Sequence, residues 1–364
     1  MQGIGIKYFT SGKKYDGQFN YNLFNGEGVL IFDNGDSYIG DFINDKYHGY
    51  GQLKNVSGYS YKGDWNFGIP NGQGKFIWLD GAIYEGEVRN DLRHGKGIEL
   101  WPGEGKYEGY FENDLRHGQG FQVGLNGERY EGEYKYGKLN GYGIWTGVDG
   151  SYYEGEWKDF FRHGRGIEIH PNGDRYEGEW MDGRMNGNGI STRIDGRQYE
   201  GQFQNNVWEG NGTYIDSQGW TYTGEFKNYN FNGQGTYIGI HGSRYKGDWF
   251  MSKQHGQGKN IYNDGSTYEG EWKNGKAHGK GTYIWVSGDR YDGDFKNNQR
   301  SGFGQYTSSS FDYKGQYQNN QLHGLGEALY KNGASYKGQY LSDYFDGEGT
   351  IALPDGSSWT GKFK

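Results

Sequence analysis

The segment YEGEWKNGKAHGKGTYI, residues 268–284, contains the pattern that decides the fold. Closely similar segments begin at Tyr153 and Tyr176, which are 23 residues apart. The aromatic-x-Gly element that opens each segment keeps this spacing along the chain, except for one step of 22 residues before Tyr313. Self-similarity at a fixed period is the signature of a repeat protein. The element begins at Tyr15, Tyr38, Tyr61, Tyr84, Tyr107, Tyr130, Tyr153, Tyr176, Tyr199, Tyr222, Tyr245, Tyr268, Tyr291, Tyr313, Tyr336 and Trp359.

Each repeat has the pattern of two short β-strands. In the first part, Tyr268, Gly270 and Trp272 alternate with two glutamates, so the two kinds of residue point to opposite faces of a strand. We interpret the polar stretch 273–277 as a loop. The β-favouring run 282–285 then predicts the second strand.

A glycine stands three residues before the aromatic residue in 14 of the 16 repeats, often within Asn-Gly or Asp-Gly. This is the strongest short-range signal for a tight hairpin turn, because such turns need positive φ angles. We therefore predict an all-β fold, an elongated, twisted, single-layer antiparallel β-meander of about 32 strands in about fifteen hairpin repeats. This solenoid-like rod would be one continuous array over residues 1–364, with half-repeats at 1–14 and 359–364 and full repeats over 15–358.

The composition excludes several functional classes. Only 32% of the 364 residues are hydrophobic but 18% are aromatic, so large rings rather than an aliphatic core must stabilise the fold. The chain has no cysteine, which rules out disulfides and thiolate metal sites. No apolar run approaches the length of a membrane span. With 46 acidic and 38 basic residues, the charge argues against a nucleic-acid partner.

The repeated segment resembles the MORN repeat (membrane occupation and recognition nexus), whose pattern is close to Y-x-G-x-[FWY]-x5-H-G-x-G. The match recurs in fifteen repeats and covers nearly the whole chain. The resemblance implies an elongated, twisted, single-layer β-sheet. In several repeats the sequence departs from the pattern, because another residue replaces the histidine. These residues are Asn25, Asn71, Asn140, Asn186, Glu209, Asn232, Ser301 and Asp346.

The resemblance also implies a function. Relatives with these repeats include junctophilins, ciliary and axonemal proteins, cytoskeletal scaffolds of protists, plant phosphatidylinositol phosphate kinases and a SET-type methyltransferase. Because this chain consists only of repeats, it most resembles the scaffold members. We expect a non-enzymatic scaffold that mediates protein–protein interaction and self-association in a cytoskeletal, ciliary or submembrane assembly of the cytoplasm, without a cofactor. The alternatives are a peripheral phosphoinositide- or membrane-binding module and the regulatory region of a lipid kinase or methyltransferase.

Seven histidines precede the Gly-x-Gly element. Those of adjacent repeats would lie about two strand spacings apart, roughly 10 Å, which is too far to share a zinc ion. We therefore expect each histidine to anchor a loop, a role that asparagine can also fill. They are His48, His94, His117, His163, His255, His278 and His323.

Glutamates recur at two slots on the polar side of the first strand. Paired carboxylates can serve acid–base catalysis or bind calcium, but a ladder repeated in many units is not how a single active site is built. We expect these side chains to accept hydrogen bonds from the neighbouring strand or to pair with Lys and Arg. The first slot holds Glu85, Glu108, Glu131, Glu154, Glu177 and Glu200, and the second holds Glu87, Glu133, Glu156 and Glu179.

Cations gather around the histidine slot in three repeats. Arg93, Arg116 and Arg162 precede His-Gly, with Lys96 and Arg165 close by. These five residues are the candidate site for acidic lipid headgroups or an acidic partner. The alternative is that they are solubilising charges on an exposed loop.

The aromatic residues recur on one face, and a single-layer sheet has no second layer to cover them. We expect most of them to form the core and to leave a partly exposed groove, suited to a peptide or another sheet. Protein partners are expected at this face.

The two ends and one break in the period carry the remaining predictions. The first strand, with Ile4 and Ile6, and the last, with Trp359 and Phe363, are complementary in type, and unpaired edges invite pairing. We predict a homo-oligomer that forms through these ends or, as relatives suggest, through C-terminal repeats. At the 22-residue step the inter-repeat glycine is missing, so we predict a kink at 305–313.

Overall fold

The computed structural model describes residues 1–103 and 105–364, and these contain 32 β-strands and no helix. The chain comprises two units of nearly equal length, Met1–Arg184 and Met185–Lys364. Within each unit, consecutive strands pair antiparallel from first to last. The predicted all-β antiparallel meander of hairpin repeats is confirmed.

The strands of the first unit alternate between seven or eight residues and nine or ten residues after a short first strand. They are β1 (Gly3–Tyr8), β2 (Lys14–Asn20), β3 (Leu23–Ile31), β4 (Ser37–Ile43), β5 (Lys46–Lys54), β6 (Ser60–Asn66), β7 (Ile69–Ile77), β8 (Ile83–Arg89), β9 (Leu92–Trp101), β10 (Gly105–Glu112), β11 (Leu115–Gly124), β12 (Arg129–Lys135), β13 (Lys138–Thr146), β14 (Tyr152–Lys158), β15 (Phe161–Ile169) and β16 (Arg175–Met181).

The second unit continues the same alternation, and its first strand begins at the unit boundary. Its strands are β17 (Arg184–Thr192), β18 (Gln198–Gln204), β19 (Val207–Ile215), β20 (Thr221–Lys227), β21 (Asn230–Ile238), β22 (Arg244–Phe250), β23 (Lys253–Ile261), β24 (Thr267–Lys273), β25 (Lys276–Ile284), β26 (Arg290–Lys296), β27 (Gln299–Thr307), β28 (Phe311–Gln318), β29 (Gln321–Tyr330), β30 (Ser335–Leu341), β31 (Tyr344–Ala352) and β32 (Ser358–Phe363).

The glycines of the two sequence motifs face one another across the sheet. Gly17 of β2 pairs with Gly28 of β3, and Gly28 pairs with Gly40 of β4. The first glycine of Gly-x-Gly has another task, because the register between β2 and β3 shifts beside Gly26, whose φ is 72°. Glycine adopts this bulge conformation at little cost. Each Gly-x-Gly element therefore supplies one bulge and one member of the glycine column.

The prediction of a loop at 273–277 is wrong. Asn274 and Gly275, with φ angles of 53° and 78°, form a two-residue turn between β24 and β25. Two positive φ angles give the turn a twist that matches that of the flanking strands, so the ladder continues to the turn. The residue before His-Gly therefore lies in a strand, not in an exposed loop.

The predicted tight turn before the aromatic residue is a longer connection. Gly35 has a positive φ of 90°, as predicted, but five residues, 32–36, separate β3 from β4. The N–H of Phe32 donates to the C=O of Asp36 at 2.9 Å, and that of Gly35 donates to Phe32 at 3.1 Å. The glycine marks a turn inside this connection.

At the 22-residue step the connection between β27 and β28 shortens to three residues, 308–310. Ser308 closes it, because its N–H and Oγ both donate to the C=O of Phe311, at 3.1 and 2.8 Å. Gly304 still pairs with Gly315, so the glycine column continues in register. The kink at 305–313 and the division of the array into full and half repeats stay predictions.

Candidate functional site: the aromatic face

The sheet of each unit has two faces with different chemistry. In β24, Tyr268 and Trp272 are buried on one face, which we call the aromatic face. Glu269 and Glu271 lie on the other, the polar face. The alternation predicted from the sequence is present in every repeat of the described chain.

The innermost layer of the aromatic face is the floor, formed by the repeat tyrosine and the side chain four residues later. Tyr268 is fully buried, and its Oη donates to the C=O of Glu271 at 2.8 Å. Its ring packs edge-to-face against Trp272, at 5.1 Å between centroids, and against Phe295 of the next repeat, at 4.9 Å. The floor is thus a core built mainly of interlocked rings, with Val88 as an aliphatic member in the first unit.

The glycine column makes room for the floor. A Cβ at Gly281 would lie only 2.5 Å from Tyr268 Oη, so the ring occupies the space of the missing side chain. Burial raises the pKa of Tyr15 and Tyr107 to about 12, and these hydroxyls stay protonated at neutral pH. The floor residues therefore form the structural core and not a binding surface.

Many side chains of the outer layer of the aromatic face are half-buried, although some, such as Phe24, are buried. The outer layer contains the cover residue, which precedes the histidine slot, and the side chains at the end of the second strand and in the connection after it. A cover residue lies flat against its tyrosine, as Phe231 does on Tyr222 at 3.9 Å. Because the outer layer varies between repeats from charged to aromatic side chains, while the floor stays buried and mostly aromatic, it can give different parts of the face different binding properties.

In the second unit the outer layer is a series of aromatic rings in mutual contact. One group runs from Trp208 through Tyr214 and Trp220 to Tyr237, with centroid distances of 5.5, 5.2 and 5.4 Å. A second group has centroid distances of 4.6 to 5.9 Å between neighbours. Its members are Tyr262, Tyr283, Trp285, Tyr306, Phe311 and Tyr330.

In the first unit three cover residues are the predicted site residues Arg93, Arg116 and Arg162. The Cζ of Arg116 lies 4.4 Å from the Trp101 ring and 4.6 Å from that of Tyr107. The side chains of the three arginines are 20%, 19% and 22% exposed, so most of each is packed against aromatic rings. They lie on the aromatic face because the cover residue belongs to a strand.

Two buried glutamates, which the sequence analysis missed, pair with these arginines. Glu99 contacts both Arg93 and Arg116, the latter at 3.6 Å from Nε, and Glu168 contacts Arg162 and, at 3.5 Å, His170 Nε2. Burial raises the pKa of Glu99 above its ordinary value, although the two guanidinium groups act in the opposite direction. The sequence signal is a spacing of six residues between arginine and glutamate, on one face of a bulged strand.

The other two predicted cations lie apart from these arginines. Lys96 and Arg165 are exposed on the polar face, and their N–H groups donate to Glu87 at 3.0 Å and Glu156 at 2.9 Å. The structure therefore does not gather the five predicted residues into one patch. Contact of any of them with lipid or an acidic partner stays a prediction.

The glutamate ladder has a structural role, as predicted. The second slot accepts hydrogen bonds from the bulge of the next strand: besides Glu87 and Glu156, Glu271 accepts from the N–H of Lys280 at 2.9 Å. Gln316 does the same for Leu325 at 3.0 Å, so the role does not need a charge. First-slot residues form exposed ion pairs, such as Glu85 with Lys75 at 3.0 Å.

In three repeats of the described chain, the residue of the histidine slot accepts a hydrogen bond from the turn of the following repeat. Nδ1 of His48 accepts the N–H of Phe67 at 3.4 Å. Asn25 and Glu209 accept the equivalent N–H groups of Asn44 and Asn228, at 3.4 and 3.1 Å. Among the described residues, Nδ1 of five other slot histidines is buried without a hydrogen-bond partner, so the predicted anchoring role is not general. They are His94, His117, His163, His255 and His278. Over residues 1–103 and 105–364, no group of three or more His, Asp or Glu residues could hold a metal ion.

The predicted self-association residues lie on different faces. Ile4 and Ile6 of β1 are 84% and 47% exposed on the polar face. Trp359 of β32 is 53% exposed on the aromatic face, and Phe363 packs in the floor, 5.1 Å from Tyr336. Self-association through these strands stays a prediction. The described part of the chain offers no helix that is long and apolar enough to cross a membrane.

Comparison with known families identifies the repeat. The sequence profile of the MORN repeat matches fifteen consecutive segments. These are residues 15–37, 38–58, 61–83, 84–106, 107–129, 130–152, 153–175, 176–196, 199–221, 222–244, 245–267, 268–290, 291–312, 313–335 and 336–358. No curated protein sequence matches the chain at a significant level.

Solved structures with some similarity are distant. The TCP domain of SAS-4 (dCPAP) of Drosophila melanogaster, in complex with a proline-rich motif of Ana2, is 12% identical, with 55% of this chain and 85% of that chain covered and a TM-score of 0.22. The TCP10 domain of Danio rerio CPAP, in complex with a STIL peptide, is 12% identical, with 68% and 97% covered and a TM-score of 0.18. Virginiamycin B lyase from Staphylococcus aureus is 12% identical, with 84% and 96% covered and a TM-score of 0.13. Similarity at this level supports no conclusion about this chain.

Proposed function

We propose, from the premise that this chain belongs to the MORN repeat family, that it is a scaffold whose aromatic face binds polypeptide segments of partner proteins. The repeats themselves are a scaffold for interaction, and no reaction is assigned to them. The setting we propose is a cytoskeletal, ciliary or submembrane assembly in the cytoplasm.

The observation that carries this proposal is the aromatic outer layer of the second unit. Tyr283, Trp285 and Tyr306 are each half-buried and fixed by ring contacts of 4.6 and 5.7 Å. Tyrosine and tryptophan give large contact areas at small entropic cost, and both are enriched among the residues that dominate binding energies. A row of such rings offers a partner preorganised apolar contacts along several repeats.

The membrane-binding alternative draws on the five cations predicted from the sequence. Three of them, Arg93, Arg116 and Arg162, are engaged with rings and carboxylates on the aromatic face, and Lys96 and Arg165 are on the polar face. Electrostatic attraction to a lipid surface requires several accessible cations on one side. We therefore place this alternative second.

The test is a selection of random peptides of about twelve residues on the full-length protein. Retained peptides are then measured against a variant with Trp285→Ser and Tyr306→Ser. We expect a set of peptides to lose affinity by about thirtyfold, because removal of central aromatic contacts typically costs about 2 kcal/mol. The change Gln305→Ala, on the exposed polar face beside Tyr306, is the matched control and should have no effect.

Circular dichroism and thermal unfolding must show that the double variant is folded. If Tyr306→Ser unfolds the chain, Tyr330→Ser probes the same row at its other end. Retained peptides that bind wild type and folded variants equally would overturn the proposal that the aromatic face of the second unit is the binding surface.

A further inference from the structure

A groove with different chemistry lies on the aromatic face near the N-terminus, between the first half-repeat and the turn of the third repeat. It has a volume of about 490 Å³, within the range of sites that enclose part of a ligand. We call it the N-terminal groove. Its lining includes the lysines Lys7, Lys13 and Lys46 and the rings of Phe9, Phe24 and Phe67.

Aromatic side chains form its walls. The cover residues Phe24 and Tyr47 stack on their floor tyrosines, each at 3.7 Å, so their positions are fixed. Phe9 is half-buried and packs edge-to-face against Phe24 at 6.3 Å. Phe67 is 54% exposed at the two-residue turn of the third repeat. The groove can therefore take up apolar side chains without rearrangement.

Three lysines line the same groove. Lys7 Nζ lies 4.9 Å from the Phe9 ring, and Lys13 Nζ lies 5.4 Å from Phe9 and 5.3 Å from Phe32. Lys46 follows the turn of the second repeat. Within residues 1–103 and 105–364, none of the three pairs with a carboxylate. The carboxylate of Asp45 accepts the N–H of Phe24 at 2.7 Å.

The three groove lysines are unusual because the first unit around them is acidic. The first unit has 28 acidic and 20 basic residues, yet the groove lining has three lysines and one aspartate. The cover arginines of the same unit, such as Arg162, have a buried glutamate of their own chain as partner. Lys7 and Lys13 lie over aromatic rings in a similar way, and among the described residues neither they nor Lys46 has a carboxylate partner, so the charge of all three is available to a ligand.

We propose that the N-terminal groove binds an acidic, apolar polypeptide segment, in which Asp or Glu residues stand beside aromatic or large aliphatic ones. The carboxylates would pair with Lys7, Lys13 and Lys46, and the apolar side chains would pack between Phe9, Phe24 and Phe67. The inference rests on the proposed function, because it names the kind of partner that one part of the aromatic face selects. Charge complementarity of this kind determines specificity and association rate.

The experiment uses the full-length protein in the same peptide selection. The test variant carries Lys7→Gln, Lys13→Gln and Lys46→Gln. The control carries Lys14→Gln, Lys54→Gln and Lys62→Gln, which remove the same charge from exposed or half-exposed positions on the polar face of the same repeats. Lys14 is a close match for Lys13, since it is adjacent in sequence but pairs with Asp16 at 3.5 Å.

We expect a set of peptides to bind wild type and the control but to lose about tenfold in affinity, equivalent to about 1.4 kcal/mol, to the test variant, since exposed charge pairs contribute little individually. These peptides should be rich in Asp or Glu together with Phe, Trp or Leu. A higher salt concentration should weaken their binding. The inference would be overturned if the peptides that lose affinity to the test variant contained no acidic residues. It would also be overturned if the test and control variants lost affinity equally.

Two further outcomes separate the alternatives. Binding to phosphatidylserine vesicles that needs Lys7, Lys13 and Lys46, without any peptide that needs them, would make the groove a lipid site and overturn the peptide assignment. If peptides depend on Trp285 and Tyr306 but none depends on the three lysines, the proposed function stands and this inference fails.

Discussion

Residues 93–168 of the first unit and residues 208–330 of the second have the same buried floor and different outer layers. In the first segment, arginines cover the tyrosines and pair with Glu99 and Glu168. In the second, the positions equivalent to these glutamates hold rings such as Tyr283 and Tyr306, which contact further aromatic residues. The charge differs too, with 28 acidic and 20 basic residues in the first unit and 18 of each in the second.

The comparison separates what holds the repeat together from what the repeat can bind. Floor tyrosines such as Tyr107 and Tyr291 are fully buried in both segments, and each donates to a backbone carbonyl three residues ahead. The outer layer of the first segment satisfies its own charges internally, whereas that of the second leaves ring edges exposed. Two regions with one fold can therefore differ in their capacity to recruit a partner.

The largest effect should come from filling the glycine column, and it should be equal in the two segments. A Cβ at Gly109 or at Gly293 would lie 2.5 Å from Oη of its own floor tyrosine, Tyr107 or Tyr291. Because each ring is enclosed, Gly109→Ala and Gly293→Ala should each destabilise the protein by about 3 kcal/mol. Urea unfolding followed by tyrosine and tryptophan fluorescence measures both.

Gly288→Ala is the control for this pair. No atom lies within 4 Å of its Cβ position, and only its positive φ of 88° opposes a side chain. We expect a smaller loss of about 1 to 2 kcal/mol, the ordinary cost of a left-handed residue. If Gly109→Ala and Gly293→Ala differ widely, the floor is not the shared element that the comparison requires.

The second prediction concerns the cover arginines and should distinguish the segments. Arg162→Met leaves Glu168, which is 12% exposed, with only the weaker partner His170, so we expect a loss of about 2 kcal/mol. Arg300 contacts four rings, the nearest being that of Tyr317 at 5.1 Å, and no described carboxylate pairs with it. Arg300→Met should therefore cost less than about 1.5 kcal/mol, as volume-conserving changes do.

The double change Arg162→Met with Glu168→Leu tests the cause. If the loss comes from an uncompensated buried carboxylate, removing the carboxylate as well should restore most of the stability. Equal destabilisation by Arg162→Met and Arg300→Met, or a double variant no better than the single one, would show that packing against the rings, not charge, decides both.

The sequence predicted the floor well and the outer layer poorly. The 23-residue period and the alternation around Tyr268 fix which residues point inward, because a strand has only two faces. For the glutamate ladder the sequence left two alternatives, and the second slot forms hydrogen bonds whereas first-slot residues form ion pairs. The position of the cover residue was not predicted, because a five-residue loop was assumed where the turn is Asn274 and Gly275.

The overestimated loop length also places the arginines wrongly, because it predicts that they are exposed. Counted as a loop residue, Arg93 appears to share an exposed patch with the nearby Lys96. In the structure a bulge beside Gly95 and a two-residue turn place Arg93 on the aromatic face and Lys96 on the polar one. Contacts such as Arg93 with Glu99 depend on this register, which the spacing of the residues alone does not supply.

The third and smallest effect is a pH dependence peculiar to the charged segment. The pKa of Glu99 is raised by burial above its ordinary value of about 4.5, so its contribution to stability is complete below that pH and is lost as pH rises through the folded-state pKa. Glutamine does not titrate, so wild type should gain stability relative to Glu99→Gln when the pH falls from 7 to 4. Urea midpoints at three pH values measure this difference, with Glu108→Gln, an exposed glutamate paired with Lys106 at 2.7 Å, as the control for loss of a carboxylate. A relative loss on acidification would mean that Arg93 and Arg116 outweigh burial, and the ionised Glu99 would then stabilise the first segment at neutral pH.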